Sequence, residues 1–493
     1  MPNFLLFENR LLQVFPQENL AAALRRNGVE IATGCNGKNK CGSCKIRLLS
    51  GTFFSDGKVF EVTEKEPLEL NACSLRQLSA SGKACYPSKK GNAFFSPCWE
   101  PACQELFPGQ PTDQTILGID LGTTNIVFAL QRSGKIFTGS QQNAQIKYGD
   151  NVIDRIAFAS SETSRKQLRR ALIEETIQSF LSAVLETPAE ISAIAVAGNT
   201  AMTHFFFDED PASLGQAPYL PQKTQFSGTA ASTGLDLFLP ATPVYAAPCL
   251  SAFIGGDISA GLKVTGFGSK DKCELYMDIG TNCEIVLNDH GQYTAISAAA
   301  GPAFERCHVR ADHISAVQHI AFSSGSWEYF PSVPNPTGFC GTGLVDLLSA
   351  GHRHGFLDRF GKWQKASQLP EKLHISNEIL SQLLTAKAAI ESCLQLLFQK
   401  TQLAPEALER IFLAGSFAEN LNLDNGKYLG LLPDIPNGRF HFCGNASLAG
   451  TLLLARSPEI QTISLFREIR TIDPAEEPAY PALFSKALCL DHI

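Results

Sequence analysis

The sequence lacks several features that would assign it to broad classes of protein. No stretch approaches the roughly 18 consecutive apolar residues of a membrane-spanning helix, so we expect no membrane partner. Lys and Arg number 41 against 48 Asp and Glu, without a Lys/Arg-rich face, which argues against nucleic acid as a partner. The first ten residues carry Glu8 and have no small-residue cleavage site, so they do not resemble a signal peptide. We therefore expect a cytoplasmic protein.

Two common nucleotide-binding motifs are also absent. Neither G-x4-GK[ST] nor G-x-G-x-x-G occurs, so any nucleotide must be held by other means. The chain has 493 residues, 44% of them hydrophobic and 18% charged, which is an ordinary globular composition. This length is too great for one core and predicts two or three domains.

Cysteine is distributed unevenly along the chain. Of its 15 cysteines, seven lie in the first 103 residues: Cys35, Cys41, Cys44, Cys73, Cys85, Cys98 and Cys103. An odd number in a large chain without a secretion signal is a poor disulfide framework. Clustered cysteines in such a chain suggest metal or redox chemistry.

Three of these cysteines have the spacing of an iron–sulfur loop. Five residues separate Cys35 from Cys41 and two separate Cys41 from Cys44. Plant-type [2Fe–2S] loops have the pattern C-x4-C-x2-C with a distant fourth cysteine, and this loop is one residue longer, as in adrenodoxin-like ferredoxins. We favour Cys85 as the fourth ligand because residues 82–87 resemble the end of a ferredoxin, and Cys73 is the alternative.

A zinc ribbon and a redox dithiol are the alternatives to a cluster. Cys41 and Cys44 alone would suit either one. A ribbon needs a second C-x2-C pair, which the chain lacks, and a dithiol would not need Cys35. The cluster is therefore the favoured interpretation.

The segments around this loop predict a small domain. Residues 4–7 and 11–15 read as a hairpin, and residues 19–27 as a helix. Residues 45–49 read as a strand that ends in a turn at Ser50 and Gly51. We expect residues 1–92 to form this domain and the proline-rich residues 93–114 to form a linker.

A short pattern then occurs twice. Residues 115–119 and the segment before Asp278 are apolar, and each leads into Asp-x-Gly-Thr followed by a second apolar run. The two aspartates lie 158 positions apart, which predicts two lobes of like fold, each opening with a strand–turn–strand hairpin.

Such turns offer phosphates a set of backbone N–H groups and a hydroxyl, while the aspartates can orient hydrated Mg²⁺. We therefore predict that two facing hairpins clamp a triphosphate and that Asp120 and Asp278 are catalytic. The predicted nucleotide ligands are Asp120, Gly122, Thr123, Thr124, Asn125, Asp278, Gly280, Thr281 and Asn282.

Further segments extend the predicted cleft. Residues 411–416 form a strand that enters a turn at Gly415 and Ser416, where backbone can approach an adenosine. Asn199 and Thr200 follow an apolar strand in the first lobe, and Gly301 begins a short glycine-containing segment in the second. We predict these three residues to border the cleft.

Together these motifs resemble the reductive activators of corrinoid proteins, in which a [2Fe–2S] ferredoxin domain is fused to an ATPase of the actin, sugar kinase and heat-shock chaperone superfamily. The resemblance covers nearly the whole chain. The similar segments are residues 198–204, 217–221, 278–282, 301–305, 338–344, 429–434 and 444–446.

The resemblance implies an α/β protein with a β-grasp ferredoxin-like domain and a two-lobed actin-like ATPase domain. The ATPase domain would span residues 115–493, with its first lobe at about 115–262 and its second at about 263–493. It further implies a [2Fe–2S] cluster, ATP and Mg²⁺ as cofactors. The implied partners are a corrinoid protein and a low-potential electron donor, and a homodimer is compatible with it.

The implied activity is ATP-dependent reduction of inactive Co(II) to Co(I) in the corrinoid protein, which restores methyltransferase activity. The alternative is a nucleotide-gated electron carrier or binding module without ATP turnover, serving another metalloprotein. A ferredoxin-fused sugar kinase is a third reading, but a kinase would not need the cluster.

Overall fold

The computed structural model describes most of the chain. The described residues are 3–7, 10–16, 18–27, 29, 44–64, 66–85, 100–101, 114–301, 303–304, 316–330, 338–364, 369, 373, 375–458 and 469–491.

The N-terminal part forms a mixed sheet with one helix. Its elements are β1 (Asn3–Phe7), β2 (Arg10–Val14), α1 (Leu20–Arg26), β3 (Lys45–Ser55), β4 (Lys58–Val62), β5 (Leu68–Asn71), β6 (Arg76–Gln77) and β7 (Ser81–Cys85). The strand order is β2-β1-β7-β3-β4, with β5 and β6 also paired to β3. Asn19 caps α1 by accepting a hydrogen bond from the Ala22 amide, and the helix buries Leu20 and Leu24 against the sheet. The predicted hairpin and helix are thus confirmed.

The predicted turn at Ser50 and Gly51 is wrong. β3 continues through both residues to Ser55, and the chain reverses only at Asp56 and Gly57. Gly51 has a φ of 121°, which is accessible to glycine within the strand. It lies so close to β7 that an added Cβ would be 3.1 Å from the Cα of Gly82.

A second sheet follows. Its elements and their associated helices are β8 (Glu100–Pro101), β9 (Ile116–Leu121), β10 (Asn125–Arg132), β11 (Lys135–Gln142), α2 (Val152–Phe158), α3 (Glu162–Arg170), α4 (Ser179–Val184), β12 (Ala193–Gly198), α5 (Thr200–Phe206), β13 (Ser227–Thr229), α6 (Ala230–Thr233), β14 (Pro243–Ala246) and α7 (Gly256–Val264). The order is β13-β14-β12-β9-β10-β11-β8. β9, β10 and β11 are antiparallel, whereas β12 runs parallel to β9 and β14 runs parallel to β12. β8 lies inside the predicted linker and pairs with β11, so it forms one edge of this sheet.

A third sheet repeats this arrangement. The remaining elements are β15 (Cys273–Ile279), β16 (Cys283–Asp289), β17 (Gln292–Ala298), β18 (Ala316–Val317), β19 (His319–Ser323), β20 (Ser326–Phe330), β21 (Gly338–Phe339), α8 (Gly341–Arg353), α9 (Asn377–Thr401), β22 (Arg410–Ala414), α10 (Ser416–Glu419), α11 (Leu423–Tyr428), β23 (Phe440–Phe442), α12 (Ala446–Arg456), β24 (Arg470–Ile472) and α13 (Tyr480–Ala487). The order is β23-β22-β15-β16-β17-β24, with β15 to β17 antiparallel and β22 and β23 parallel to β15.

The second and third sheets therefore share the topology of five strands, β14-β12-β9-β10-β11 and β23-β22-β15-β16-β17. β9 and β15 are the equivalent first strands of these five, and each carries one of the repeated aspartates at its penultimate position. This confirms the prediction of two lobes of like fold. Within the described residues, no helix is both long and apolar enough to span a membrane.

Two helices join the lobes. α12 follows β23 of the third sheet, but Leu448 and Leu452 pack on Ile116 and Ala195 of the second sheet. α7 follows the second sheet, but its Ile258 packs against Tyr276 and Val286 of the third. α7 and α12 also contact each other closely, because an added Cβ at Gly450 would lie 2.4 Å from the Ala260 carbonyl oxygen. The cleft between the lobes is thus closed at its base by this pair of helices.

Candidate functional site

Two buried thiols meet where the cluster loop rejoins the sheet. Cys44 directly precedes β3, Cys73 lies in the turn after β5, and their Sγ atoms are 3.3 Å apart. Ala72 holds this corner in place, because its amide donates to the Cys44 carbonyl at 2.9 Å. Two thiolates on one tetrahedral metal, each with a bond of about 2.3 Å, would lie about 3.8 Å apart. The pair therefore fits two ligands of a common metal atom. The other two predicted ligands, Cys35 and Cys41, lie outside the described residues.

Cys85, which the sequence favours as the fourth cluster ligand, does not share a face of the sheet with the buried core around Cys44 and Cys73. It lies at the end of β7 directly opposite Arg47 of β3, so the two side chains share one face of the sheet. Their neighbours Ala84 and Leu48 share the other face and are buried in the core that also contains Cys44 and Cys73. This geometry favours Cys73, the alternative, over Cys85 as the fourth ligand.

The first Asp-x-Gly-Thr turn joins β9 to β10 and is held by three side chains from separate elements. Asn143 Nδ2 donates to the Gly122 carbonyl at 3.0 Å, and Asn199 Nδ2 donates to Thr123 Oγ1 at 3.2 Å. Arg155 Nη2 donates to the Thr123 carbonyl at 2.7 Å. Thr124 and Asn125 complete the turn, and Asn125 begins β10. The turn is therefore fixed from behind.

Asp120, in the last part of β9, is bound by the start of α12. Asn445 Nδ2 donates to its Oδ2 at 2.9 Å, and Ser447 Oγ donates to its Oδ1 at 3.0 Å. Burial raises the pKa of Asp120, and these two hydrogen bonds act in the opposite direction. The carboxylate that was predicted to orient a metal ion thus also ties the first lobe to α12, which follows β23 of the second lobe.

The second turn has the same form and lies against the predicted adenosine turn. Asp278 lies near the end of β15, the Gly280 amide donates to the Asn282 carbonyl at 2.8 Å, and Thr281 lies between them. Gly415 has a φ of 92°, and an added Cβ would lie 3.0 Å from Asp278 Oδ1. The structure thus brings Gly415 next to Asp278. The side chain of Ser416, the other predicted residue of this turn, lies outside the described part of the structure.

Two further carboxyl groups, which we did not predict, lie close to the paired aspartates. Asp257 is in the first turn of α7, and burial together with the negative charge of Asp120 raises its pKa to about 7. Glu284 lies directly opposite Asp278 in the β15–β16 pair. Its pKa is raised well above its ordinary value by burial and then by the charges of Asp257 and Asp278. Asp257 is therefore electrostatically coupled to Asp120 and to Glu284, and Glu284 is coupled to Asp278. Within the part of the chain that the structure describes, however, no group of three or more His, Cys, Asp or Glu side chains could by itself hold a metal ion. A Gly-Gly-Asp sequence at a helix start, residues 255–257, was the signal that could have identified Asp257.

The remaining predicted cleft residues differ in their placement. Asn199 caps α5 through the Met202 amide at 2.9 Å and also contacts Thr123, so it borders the first turn. Thr200 is buried and donates to the Ser251 carbonyl at 2.6 Å. Gly301 has a φ of 71°, and no atom lies within 4 Å of an added Cβ.

Other titratable residues have structural roles. His204 is fully buried, and its Nδ1 lies 2.7 Å from the Thr200 carbonyl. Burial lowers the pKa of His204, and the contact with Thr200 acts in the opposite direction. Lys387 of α9 donates to the carbonyls of Ala487 and Cys489 at 2.8 and 2.7 Å. These two hydrogen bonds give its ammonium group a structural role, because they hold the C-terminal end of α13 against α9.

Comparison with known proteins gives consistent results over three segments. A family model described as the C-terminal domain of RACo, the ASKHA domain, matches residues 272–493. A second, described as the RACo middle region, matches residues 116–270, and a 2Fe-2S iron-sulfur cluster binding domain matches residues 8–77. ASKHA denotes the superfamily of actin, sugar kinases and heat-shock chaperones.

Individual relatives agree with these family models. The corrinoid activation enzyme RamQ of Eubacterium limosum is 28% identical over 401 residues, covering 72% of this chain and 67% of that protein. The [Co(II) methylated amine-specific corrinoid protein] reductase of Methanosarcina barkeri is 21% identical over 366 residues, covering 65% and 66%. The chain thus matches about two thirds of the length of these curated relatives. Among solved structures, a reductive activator for corrinoid,iron-sulfur protein is 25% identical with a TM-score of 0.68, covering 99% of this chain and 98% of that one.

Proposed function

Because this chain belongs to the family of reductive activators of corrinoid proteins, we propose that it reduces the inactive Co(II) state of a corrinoid protein to Co(I) with consumption of ATP. One observation carries the proposal: a pair of thiols suited to an iron–sulfur cluster and two phosphate-type turns, one in each lobe, occur in one chain. The names of both curated relatives support it.

The cluster would be held by Cys35, Cys41, Cys44 and Cys73. When bound, a [2Fe–2S] cluster supplies one electron at a time at low potential. The protein's own contribution is to bury the Cys44 and Cys73 sulfurs in the apolar core, which limits water at that side of the site. We place the ferredoxin domain at residues 1–92 and the ATPase domain at residues 115–493.

The nucleotide would lie between the two turns. Backbone amides of residues 122–125 and 280–282 would bind the phosphates, and Gly415 and Ser416 would border the adenosine. Mg²⁺ would be held by the phosphates, and Asp120 and Asp278 would orient it through its bound waters, because Mg²⁺ in nucleotide sites usually keeps several waters and takes one or two carboxylates. Its charge would favour the ionised forms of Asp257 and Glu284, whose pKa values are raised by burial and then by neighbouring carboxylates.

Coupling would rest on the contacts that cross between lobes. A plant-type cluster near about −400 mV has little driving force for cobalt reduction, and each ~59 mV of shortfall costs a factor of ten in equilibrium. ATP can offset this if it stabilises a different lobe arrangement in complex with the partner. Asp120 with Asn445, and Gln131 with Arg456 at 2.9 Å, are contacts through which nucleotide binding would reposition α12.

The test is direct: mix the reduced protein with a Co(II) corrinoid protein, with and without Mg-ATP, and follow Co(I) absorption and phosphate release. We expect Co(I) only with ATP, and hydrolysis stimulated by the partner. Co(I) formation without nucleotide at the same rate would refute the proposal. Full reduction without phosphate release would instead identify a nucleotide-gated carrier.

A matched pair of variants locates the chemistry within the chain. Asp278→Asn should abolish hydrolysis, whereas Asp289→Asn, at the other end of the same hairpin, should not. The low-potential donor, the homodimer and the cytoplasmic location remain predictions from the sequence.

A further inference from the structure

Arg155 is a buried cation directly behind the first phosphate-type turn. It lies in α2, has no exposed surface and donates to four neutral acceptors. These acceptors are the carbonyls of Thr123 at 2.7 Å and Gly149 at 3.0 Å, Gln145 Oε1 at 3.1 Å and Met202 Sδ at 3.4 Å. Every one of its contacts therefore satisfies hydrogen bonding without cancelling charge.

The guanidinium also keeps its charge. Burial lowers its pKa to about 10, and the more distant charge of Asp150 partly offsets that effect, so Arg155 is protonated at neutral pH. Among the described residues it forms no ion pair within 4.0 Å. Its nearest opposing charge, that of Asp150, lies beyond ion-pair distance, which is unusual because the desolvation of a buried cation is costly unless an opposite charge is close.

We propose that the phosphate chain of the nucleotide supplies the counter-charge that no ion pair gives Arg155, and that Arg155 is a positioning residue that both fixes the Thr123 turn and supplies positive potential behind it. The inference rests on the proposed function, because it places the phosphates at residues 122–125. Within a region of low dielectric, one unit charge behind the turn acts strongly on an anion in front of it. Arg155 would do so without touching the ligand, which leaves the front of the turn to the phosphates and the metal ion.

The number of phosphates on the ligand separates an electrostatic role of Arg155 from a purely structural one. If the charge matters, its removal weakens binding more for each phosphate that the ligand carries. If Arg155 only braces the turn, all nucleotides that use the turn weaken alike.

The experiment uses the full chain and titrates adenosine, AMP, ADP and Mg-ATP by calorimetry. Arg155→Gln should raise the Kd of ATP by about tenfold or more, raise that of ADP less, and leave that of adenosine within about twofold. Asn143→Ala is the matched control, because it removes a neutral brace from Gly122 in the same turn. The fold-loss of affinity in Asn143→Ala should be no larger for ATP than for ADP.

Arg155→Lys covers the case in which the glutamine variant fails to fold. It keeps the charge while losing most of the hydrogen bonds, so the ratio of ATP to adenosine affinity should stay near that of the wild type even if the melting temperature falls. An unchanged ATP affinity in Arg155→Gln, or a ratio lost in Arg155→Lys, would overturn the inference. A wild-type chain that binds no ATP would instead refute the proposed function itself.

Discussion

Asp120 and Asn445 lie 325 positions apart in the chain, and their side chains are joined by a hydrogen bond of 2.9 Å. One belongs to the first strand of the first lobe, and the other caps the helix that returns from the second lobe. The carboxylate that we propose to orient Mg²⁺ therefore also joins the two lobes.

Removing the Asn445 side chain should impair catalysis more than stability. Asn445→Ala loses the bond to Asp120 and the cap on the Leu448 amide, and cap loss alone costs about 1 kcal/mol. We expect partner-stimulated ATP hydrolysis to fall about tenfold. Asn422→Ala is the matched control, since Asn422 caps α11 through the Asn425 amide. Equal losses of activity in both variants would contradict a special role for the contact with Asp120.

The two candidate fourth ligands can be separated by single substitutions. Cys73→Ser should abolish or strongly perturb the cluster, because its sulfur lies 3.3 Å from that of Cys44. Cys85→Ser should retain it, since that side chain shares the opposite face of the sheet with Arg47. Iron and sulfide analysis with visible absorption after anaerobic reconstitution decides between them. A cluster lost only in Cys85→Ser would restore the original sequence-based assignment.

Asp257 should make stability depend on pH. Burial, and then the charge of Asp120, raises its folded-state pKa to about 7 from the ordinary value of 3.8, so ionisation is disfavoured in the folded chain. This cost is fully present above pH 7 and vanishes as the pH falls below about 4. Asp257→Asn should therefore raise the free energy of unfolding at pH 8, by up to about 4 kcal/mol, and have no such effect near pH 4.

Denaturant titrations of both proteins without Mg²⁺ at several pH values provide the measurement. Adding Mg²⁺ at pH 8 should stabilise the wild type more than the variant, because the variant lacks one of the carboxylates whose negative charge Mg²⁺ would offset. A difference between the two proteins that is the same at pH 4 and pH 8 would show that Asp257 is not the titrating group.

The crossing of α7 and α12 should be sensitive to one added methyl group. Gly450→Ala would place a Cβ 2.4 Å from the Ala260 carbonyl oxygen, so the helices must separate. Overpacking of this kind typically costs about 1–3 kcal/mol. Thermal unfolding should register this loss, and ATP hydrolysis should slow. Gly438→Ala is the control, because no atom lies within 4 Å of the added Cβ there. A Gly450→Ala protein as stable as the wild type would mean that α7 and α12 can separate at their crossing without loss of stability.

The predictions that succeeded rest on local sequence patterns. Each Asp-x-Gly-Thr turn follows an apolar strand and precedes another, so the repeat could be recognised from two short segments near Asp120 and Asp278. The helix after Asn19 was likewise visible, because its cap and apolar face lie within nine residues.

The failures involve contacts that no local pattern specifies. Ser50 and Gly51 read as a turn, but β3 continues because Gly51 fits closely against β7, about thirty positions later. The choice between Cys85 and Cys73 is a different case, because it stays a prediction until it is tested; only the pairing of β3 with β7 shows which face of the sheet Cys85 occupies. Asp257 and Glu284 were missed because their significance depends on Asp120 and Asp278, which other strands carry.

The position of α12 also bears on how the chain is made. Ala195 and Ile116 belong to a sheet that is complete in sequence by residue 246, yet the apolar face containing them is covered by residues 446–456. During synthesis this face stays without α12 until about two hundred further residues have emerged from the ribosome, so an apolar surface is exposed for a long time. A ribosome-stalled or truncated product ending before Ala446 should therefore be prone to aggregate and should recruit chaperones. The helix that closes the cleft is also the piece that completes the first lobe.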